Sequence, residues 1–230
     1  MIPPTEPIVI TIDGPAGTGK SSVARALARR LGLDFLDTGA MYRAAAAIAI
    51  DHAIALDDHD ALVRKVTEAD LHFDWSLDPP AILAWNAPVN GRIREPDVTR
   101  IVSRVAGIPA LRRHMVAKQR LIARQHPRLV TEGRDQGPVV FADAAVKFFL
   151  DADPRERARR RVDQLRAAGL RLDFDETLRE IVERDASDSS RADGPLIRPD
   201  DAIVVDTSSL ALDEVVDRLE RLVRARFDEP

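Results

Sequence analysis

Ile8-Val9-Ile10-Thr11-Ile12-Asp13-Gly14-Pro15-Ala16-Gly17-Thr18-Gly19-Lys20-Ser21 joins an apolar run to the pattern GxxxxGK[ST]. Glycine permits positive φ and lets backbone N–H groups converge on phosphate oxygens, while Lys20 adds a mobile cation and Ser21 a hydroxyl for Mg²⁺. A strand before the loop and a helix after it separate this match from a chance glycine-rich turn. The expected phosphate cradle comprises Gly14, Pro15, Ala16, Gly17, Thr18, Gly19, Lys20, Ser21 and the adjoining Ser22. It predicts binding of a nucleoside triphosphate.

Outward from the loop, short β-type runs lie at residues 8–13, 35–37, 128–131, 145–150 and 202–206, separated mostly by helical patterns. This alternation predicts an α/β fold, a five-stranded parallel sheet with helices on both faces. The first helix carries Val23, Leu27 and Leu31 four apart and stops at Gly32. Leu111, Met115 and Ile122 mark a second apolar stripe, and Leu212, Val216, Leu219 and Val223 a third. Residues 57–100 break the alternation. They hold both tryptophans, Pro79-Pro80 and the turn signal Asn90-Gly91, and predict an inserted subdomain with its own small sheet. Asp153 as N-cap, Pro154 at N1, Glu156 at N3 and Gly169 as C-cap delimit a further helix.

Composition narrows the partners. A net charge of -4 gives no global field to recruit nucleic acid or an anionic membrane, so anionic ligands must be met by local arginine clusters. Arginine dominates, since only Lys20, Lys65, Lys118 and Lys147 occur among the 34 basic residues. Its planar fork suits phosphate and carboxylate. The absence of cysteine removes disulfides, thiolate zinc sites and cysteine nucleophiles, and fits a reducing cytoplasm. Residues 1–6 lack a basic start for a signal peptide, and the longest apolar stretch, 44–50, is far below the ~20 residues of a membrane helix. A cytoplasmic protein without nucleic-acid or membrane partners is expected. His52, His59, His72, His114 and His126 show no metal-ligand spacing, and no GxSxG elbow occurs.

Four constellations carry candidate chemistry. In Phe35-Leu36-Asp37-Thr38-Gly39-Ala40-Met41-Tyr42-Arg43, an acid ends a strand and a helix follows with a hydroxyl, a ring and an arginine. Asp37 either helps hold Mg²⁺ while Arg43 grips a phosphate, or caps the helix while Arg43 is solvated. In Leu129-Val130-Thr131-Glu132-Gly133-Arg134-Asp135, Glu132 is a carboxylate placed to orient Mg²⁺ and Arg134 is aimed at the same place, against a plain surface turn. Arg184, Asp188 and Arg191 recur at i, i+4 and i+7, as a nucleotide-facing helix face or an intrahelical ion pair with a break near Ser189-Ser190. Arg157, Arg160 and Arg161 group on the capped helix as a lid over ATP or as a solvated face.

Together and in this order, the phosphate loop, Leu36 to Arg43, Glu132 to Asp135, and Glu183-Arg184-Asp185 followed by Asp188 and Arg191 resemble the bacterial cytidylate kinase family, a branch of the nucleoside monophosphate kinases. The resemblance runs from the first strand to the C-terminal helix. It implies a P-loop NTPase three-layer fold, one kinase domain over residues 1–230, a monophosphate-binding insert at about 38–100 and a lid at about 153–169. It implies a monomer that uses ATP and Mg²⁺ to phosphorylate CMP or dCMP. By the same likeness, Thr38, Tyr42, Arg43, Arg134 and Arg191 are substrate-binding, with Thr38 and the three arginines around the acceptor phosphate. Arg184 and Asp188 touch the ribose, and Ser103, Arg112 and Asp135 read the cytosine. Lys20, Arg134, Arg157, Arg161 and Arg191 are the implied catalytic residues, Ser21, Asp37 and Glu132 the implied metal site. Ser21-Ser22 stand where the family often has Gly-Thr, Thr38 where it often has Ser, and Glu132 where it often has Asp; hydroxyl and carboxylate chemistry is kept.

Overall fold

The computed structural model describes residues 6–167, 169 and 172–228. Among these, the strands are β1 (Ile8–Asp13), β2 (Asp34–Asp37), β3 (His72–Asp74), β4 (Ala81–Ala84), β5 (Ala87–Pro88), β6 (Arg128–Gly133), β7 (Val146–Asp151) and β8 (Ile203–Asp206). The α-helices are α1 (Lys20–Leu31), α2 (Thr38–Asp51), α3 (His59–Ala69), α4 (Pro96–Ala106), α5 (Pro109–Gln125), α6 (Pro154–Ala167), α7 (Phe174–Ser189) and α8 (Leu212–Asp228).

Five strands form a parallel sheet in the order β2-β6-β1-β7-β8. The three inner strands are buried on both faces, which is why they read as nearly unbroken apolar runs. One face is covered by α1 and α8, whose Val23, Leu27, Val216, Leu219 and Val223 pack with Ile10, Ile12, Val130 and Phe148. On the other, Met41, Leu111 and Met115 pack against Leu36 and Leu129. The α1 and α5 stripes point inward as their spacing predicts, except that Leu31 is only partly buried; Leu212, at the first turn of α8, stays exposed. Gly32 closes α1 in the left-handed conformation, and the Leu33 amide reaches the Ala28 carbonyl at 2.9 Å.

The segment that interrupts the alternation holds an antiparallel sheet, β3-β4-β5. Its hairpin turn is not Asn90-Gly91. Trp85 and Asn86 join β4 to β5 with φ of 50° and 61°, the two positive values of a type I′ turn, whereas Gly91 precedes a 3₁₀ turn at Arg92–Arg94. Nor does this sheet have a core of its own. Phe73, Ile82, Val98 and Val102 belong to the same apolar cluster as Met41 and Leu111. Two polar ties add to that burial: Arg25 Nε donates to Asp78 Oδ1 at 3.0 Å, and the Trp75 ring stacks on His126 with centroids 3.8 Å apart. Helix α6 begins as its capping residues dictate, the Arg155 amide donating to Asp153 Oδ1 at 2.7 Å, and Gly169 has a φ of 81°. Residues 1–5 and 168, which the leader and lid expectations include, lie outside the described residues.

At the end of β1 the chain turns through Gly14 at a φ of 146°, and a Cβ there would lie 2.1 Å from the Leu150 carbonyl oxygen of β7. Gly14→Ala therefore forces two adjacent strands apart and is expected to destabilise the fold by about 3 kcal/mol or more, measured by urea denaturation.

Candidate functional site

The C-terminal ends of the parallel strands form the floor of the site. Register sets Asp13 beside Gly133 and Asp37 beside Glu132, so the acids that end β1 and β2 and the penultimate residue of β6 share one edge. The phosphate loop rises from it. Gly19, at a φ of 88°, leads into α1 without any side-chain cap, which leaves the first amides of the helix facing the loop. Lys20 is buried and donates to the Pro15 carbonyl at 2.7 Å; Thr18 donates to the same carbonyl at 3.1 Å. Burial, with repulsion from Arg134, pushes the Lys20 ammonium down to about 7. Ser22, the outermost of the expected loop residues, is exposed.

The capping reading of Asp37 holds. Its carboxylate caps α2 by accepting the Ala40 N–H at 2.9 Å, and it also faces Glu132. Burial first, and the Glu132 charge second, push Asp37 up to about 7. Ser21 Oγ donates to Glu132 Oε1 at 2.8 Å, and Thr38 Oγ1 to the Glu132 carbonyl at 2.7 Å. Glu132 is thus buried in the site and does not occupy a surface turn. Two facing carboxylates and a hydroxyl, all oxygen donors in a site that disfavours two negative charges, fit a small hard divalent cation.

Arginines surround the space beyond these acids. Arg43 is no solvated charge: Nη1 donates to Thr99 Oγ1 at 2.9 Å and to the Ile93 carbonyl at 3.2 Å, and burial holds its pKa below the usual arginine value. Arg134 Nε donates to Asp188 Oδ2 at 2.9 Å, and Arg191 pairs with the other Asp188 oxygen. The helix ends at Ser189, so Arg191 reaches Asp188 from beyond it; among the described residues the ion-pair partners of Asp188 are Arg134 and Arg191, and no Arg184–Asp188 ion pair forms. Burial and the Arg134 charge push Arg184 down to about 10, and the Nε atoms of Arg184 and Arg191 are buried without a hydrogen-bond partner among the described residues. Donors left open around a single carboxylate describe an anion site.

Next to it, Arg112 and Asp135 form a fully buried ion pair. Arg112 also lies 5.7 Å from the Tyr42 ring, whose hydroxyl burial pushes up to about 12, and donates to the Ala106 carbonyl at 3.3 Å. Ser103 is not on this pair. Its hydroxyl donates to Asp188 Oδ1 at 3.4 Å and its carbonyl accepts from Arg191 at 3.3 Å.

The three arginines of α6 part company. Arg157 is buried on the phosphate loop, donating to the Ala16 carbonyl at 3.0 Å. Arg160 grips the end of β8 through Thr207 Oγ1 at 3.2 Å and the Thr207 and Ser208 carbonyls. Arg161, half-buried, donates to Gln164 Oε1 at 3.3 Å and lies close enough to Glu180 and Arg43 to interact with their charges. Helical spacing put them together; the acceptors around the helix separate them.

Sequence reasoning gave no role to Asp13 or Arg94. Asp13 is buried and accepts the Gln136 and Gly137 amides at 2.8 and 2.7 Å, tying the end of β1 to the turn that follows Arg134 and Asp135; burial pushes it up to about 7. An acid at the last position of the quoted apolar strand was its only signal. Arg94 lies close enough to Asp37 and Arg43 to influence both, from a 3₁₀ turn with no distinctive pattern.

Lys20 gives the loop a pH dependence of definite sign. A bound polyphosphate favours the ammonium form, so above about 7 binding must take up a proton and affinity falls as pH rises; below about 7 the lysine is already charged and contributes no slope. Calorimetry with inorganic triphosphate between about pH 7 and 8.5, in buffers of different ionisation enthalpy, is expected to show net proton uptake, and Lys20→Met to lower it.

Known proteins of similar sequence show the family. The family model described as cytidylate kinase matches residues 10–225. A cytidylate kinase of Corynebacterium glutamicum is 45% identical over 224 residues, covering 96% of each chain, and one of Mycobacterium avium is 45% identical over 221 residues, covering 96% of this chain and 97% of its own. A bifunctional pantoate ligase/cytidylate kinase of a Synechococcus strain is 47% identical over 219 residues, which are 94% of this chain and 40% of that protein. With its phosphate loop, paired acids and arginine-ringed anion site, the chain belongs to the cytidylate kinase family.

Proposed function

We propose that the protein transfers the γ-phosphoryl group of ATP to CMP or dCMP, giving ADP and CDP or dCDP. One observation carries the reading. Arg134 and Arg191, joined through Asp188 and flanked by Arg184, form an anion site next to the buried Arg112–Asp135 pair. The phosphate loop takes ATP, and the arginines, with Arg43 and Thr38, take the acceptor phosphate. Cytosine offers an amino donor beside an acceptor nitrogen and a carbonyl oxygen, which complements a carboxylate beside a guanidinium; uracil reverses part of that pattern.

No general base is needed, because the attacking oxygen belongs to a monophosphate that is already ionised near neutral pH. What remains is in-line positioning, neutralisation of charge and exclusion of water. Lys20 balances charge on the transferring group, and Arg161 adds to it from α6. Arg134, Arg191 and Arg43 hold the acceptor oxygen in line. Ser21, Asp37 and Glu132 are the residues that hold Mg²⁺, which when bound supplies positive charge against the phosphate oxygens. The insert, about 38–100, and the lid, about 153–169, close over the two nucleotides and keep water from acting as acceptor. The protein acts as a cytoplasmic monomer on small molecules; no described helix is long and apolar enough to cross a membrane.

The reading is tested with ATP, Mg²⁺ and a panel of CMP, dCMP, UMP, dTMP and shikimate. CMP or dCMP is expected to give the highest kcat/KM, and strong preference for another acceptor overturns the assignment of the base-reading pair. Lys20→Ala is expected to lower kcat by about 100-fold or more with CMP affinity nearly unchanged. Asp135→Asn, which replaces one acceptor oxygen by a donor, is expected to cut the CMP over UMP preference by about tenfold or more, read as the ratio of kcat/KM values.

A further inference from the structure

Arg157 lies along the phosphate loop, its side chain only 3% exposed. Its Nε donates to the Ala152 carbonyl and its Nη1 to the Ala16 carbonyl, each at 3.0 Å. The same Nη1 lies 2.6 Å from Asp185 Oδ2. A Cβ on Gly17 would stand 3.1 Å from the Arg157 Cβ, so loop and side chain are packed as tightly as glycine allows. Asp185 therefore holds from one side a guanidinium that holds the loop from the other.

From these contacts we infer that Asp185 is a positioning residue for the phosphate donor, acting through Arg157 on the Ala16 carbonyl. The physical need is plain. A carbonyl oxygen free to turn toward bound phosphate repels it, whereas one engaged by a guanidinium leaves the loop to present its amides. Arg157 keeps the charge-assisted bond to Ala16 only while its orientation is fixed; the Ala152 carbonyl anchors its Nε and the carboxylate of Asp185 holds the Nη1 end. Oδ1 of Asp185 is buried and has no hydrogen-bond partner among the described residues, while Oδ2 forms the ion pair with Arg157.

The same helix serves the other half of the reaction. Asp185 sits one residue after Arg184 and three before Asp188 on α7, so the acceptor-side groups and the donor-side tether are carried by one rigid element that packs on α6. This inference rests on the reading of the loop as the ATP site.

Asp185→Asn and Asp185→Glu are titrated calorimetrically with ATP and, separately, with CMP. The asparagine variant is expected to weaken ATP about tenfold while leaving CMP within about twofold, and the glutamate variant, which keeps the charge, to restore ATP affinity to within about threefold of wild type. Equal weakening of both ligands, or no change for ATP, overturns the inference. If the asparagine variant does not fold, Arg157→Lys provides the same comparison and is judged by the same outcomes. Failure of the wild-type protein to bind CMP, with the ATP effect intact, overturns the acceptor assignment alone.

Discussion

Parallel pairing of β6 between β1 and β2 is the constraint on which the site depends. It aligns Asp13 with Gly133 and Asp37 with Glu132, so buried acids from distant parts of the chain end at one sheet edge beside a glycine loop. Negative charges crowded in a dry place do not all persist. Asp13 and Asp37 are pushed up to about 7, and Lys20 is pushed down to about the same value. Burial thus disfavours the charged forms of these three groups, and those forms become favourable when phosphate and cation arrive together.

The acceptor half follows a different electrostatic logic. Arg134 and Arg191 share a single carboxylate, Asp188, with Arg184 close by, so positive charge exceeds negative and an anion with several oxygens is the natural complement. Arg112 is buried against Asp135, with a second carboxylate, Asp193, 3.6 Å from its Nε. A base entering there must replace charge-assisted hydrogen bonds with equally good ones, because any group left unpaired in such a place is costly. On the proposed reading, selectivity for the base comes from that exchange.

Much of this was legible in the amino-acid order. The phosphate loop, the five strands and the α1 and α5 stripes depend on local rules of glycine geometry and apolar periodicity, and these survive without tertiary information. The acids Asp37 and Glu132 and the arginines Arg43, Arg134, Arg184 and Arg191 could be nominated because they end strands or share a helical spacing. Their pairings could not. Arg191 lies past the helix on which its spacing seemed to place it, and Asp188 binds Arg134 from 54 residues away. Arg157 and Arg160 were grouped with Arg161 by period alone, whereas the Ala16 carbonyl and the Thr207 hydroxyl, which determine where they point, are remote in sequence. The hairpin at Trp85-Asn86 escaped notice because a tryptophan in the left-handed region contradicts ordinary turn preferences, and the nearby Asn-Gly pair matched them better.

Both tryptophans of the chain fall in the inserted segment, Trp75 flat against His126 and Trp85 with the Lys65 ammonium 5.5 Å from its ring. Tyr42 is the only tyrosine, so nearly all ultraviolet emission from this molecule originates in that one arm. The fold thus contains an intrinsic optical reporter: a change in indole fluorescence registers movement of the insert relative to the end of α5, while the sheet and the phosphate loop remain dark.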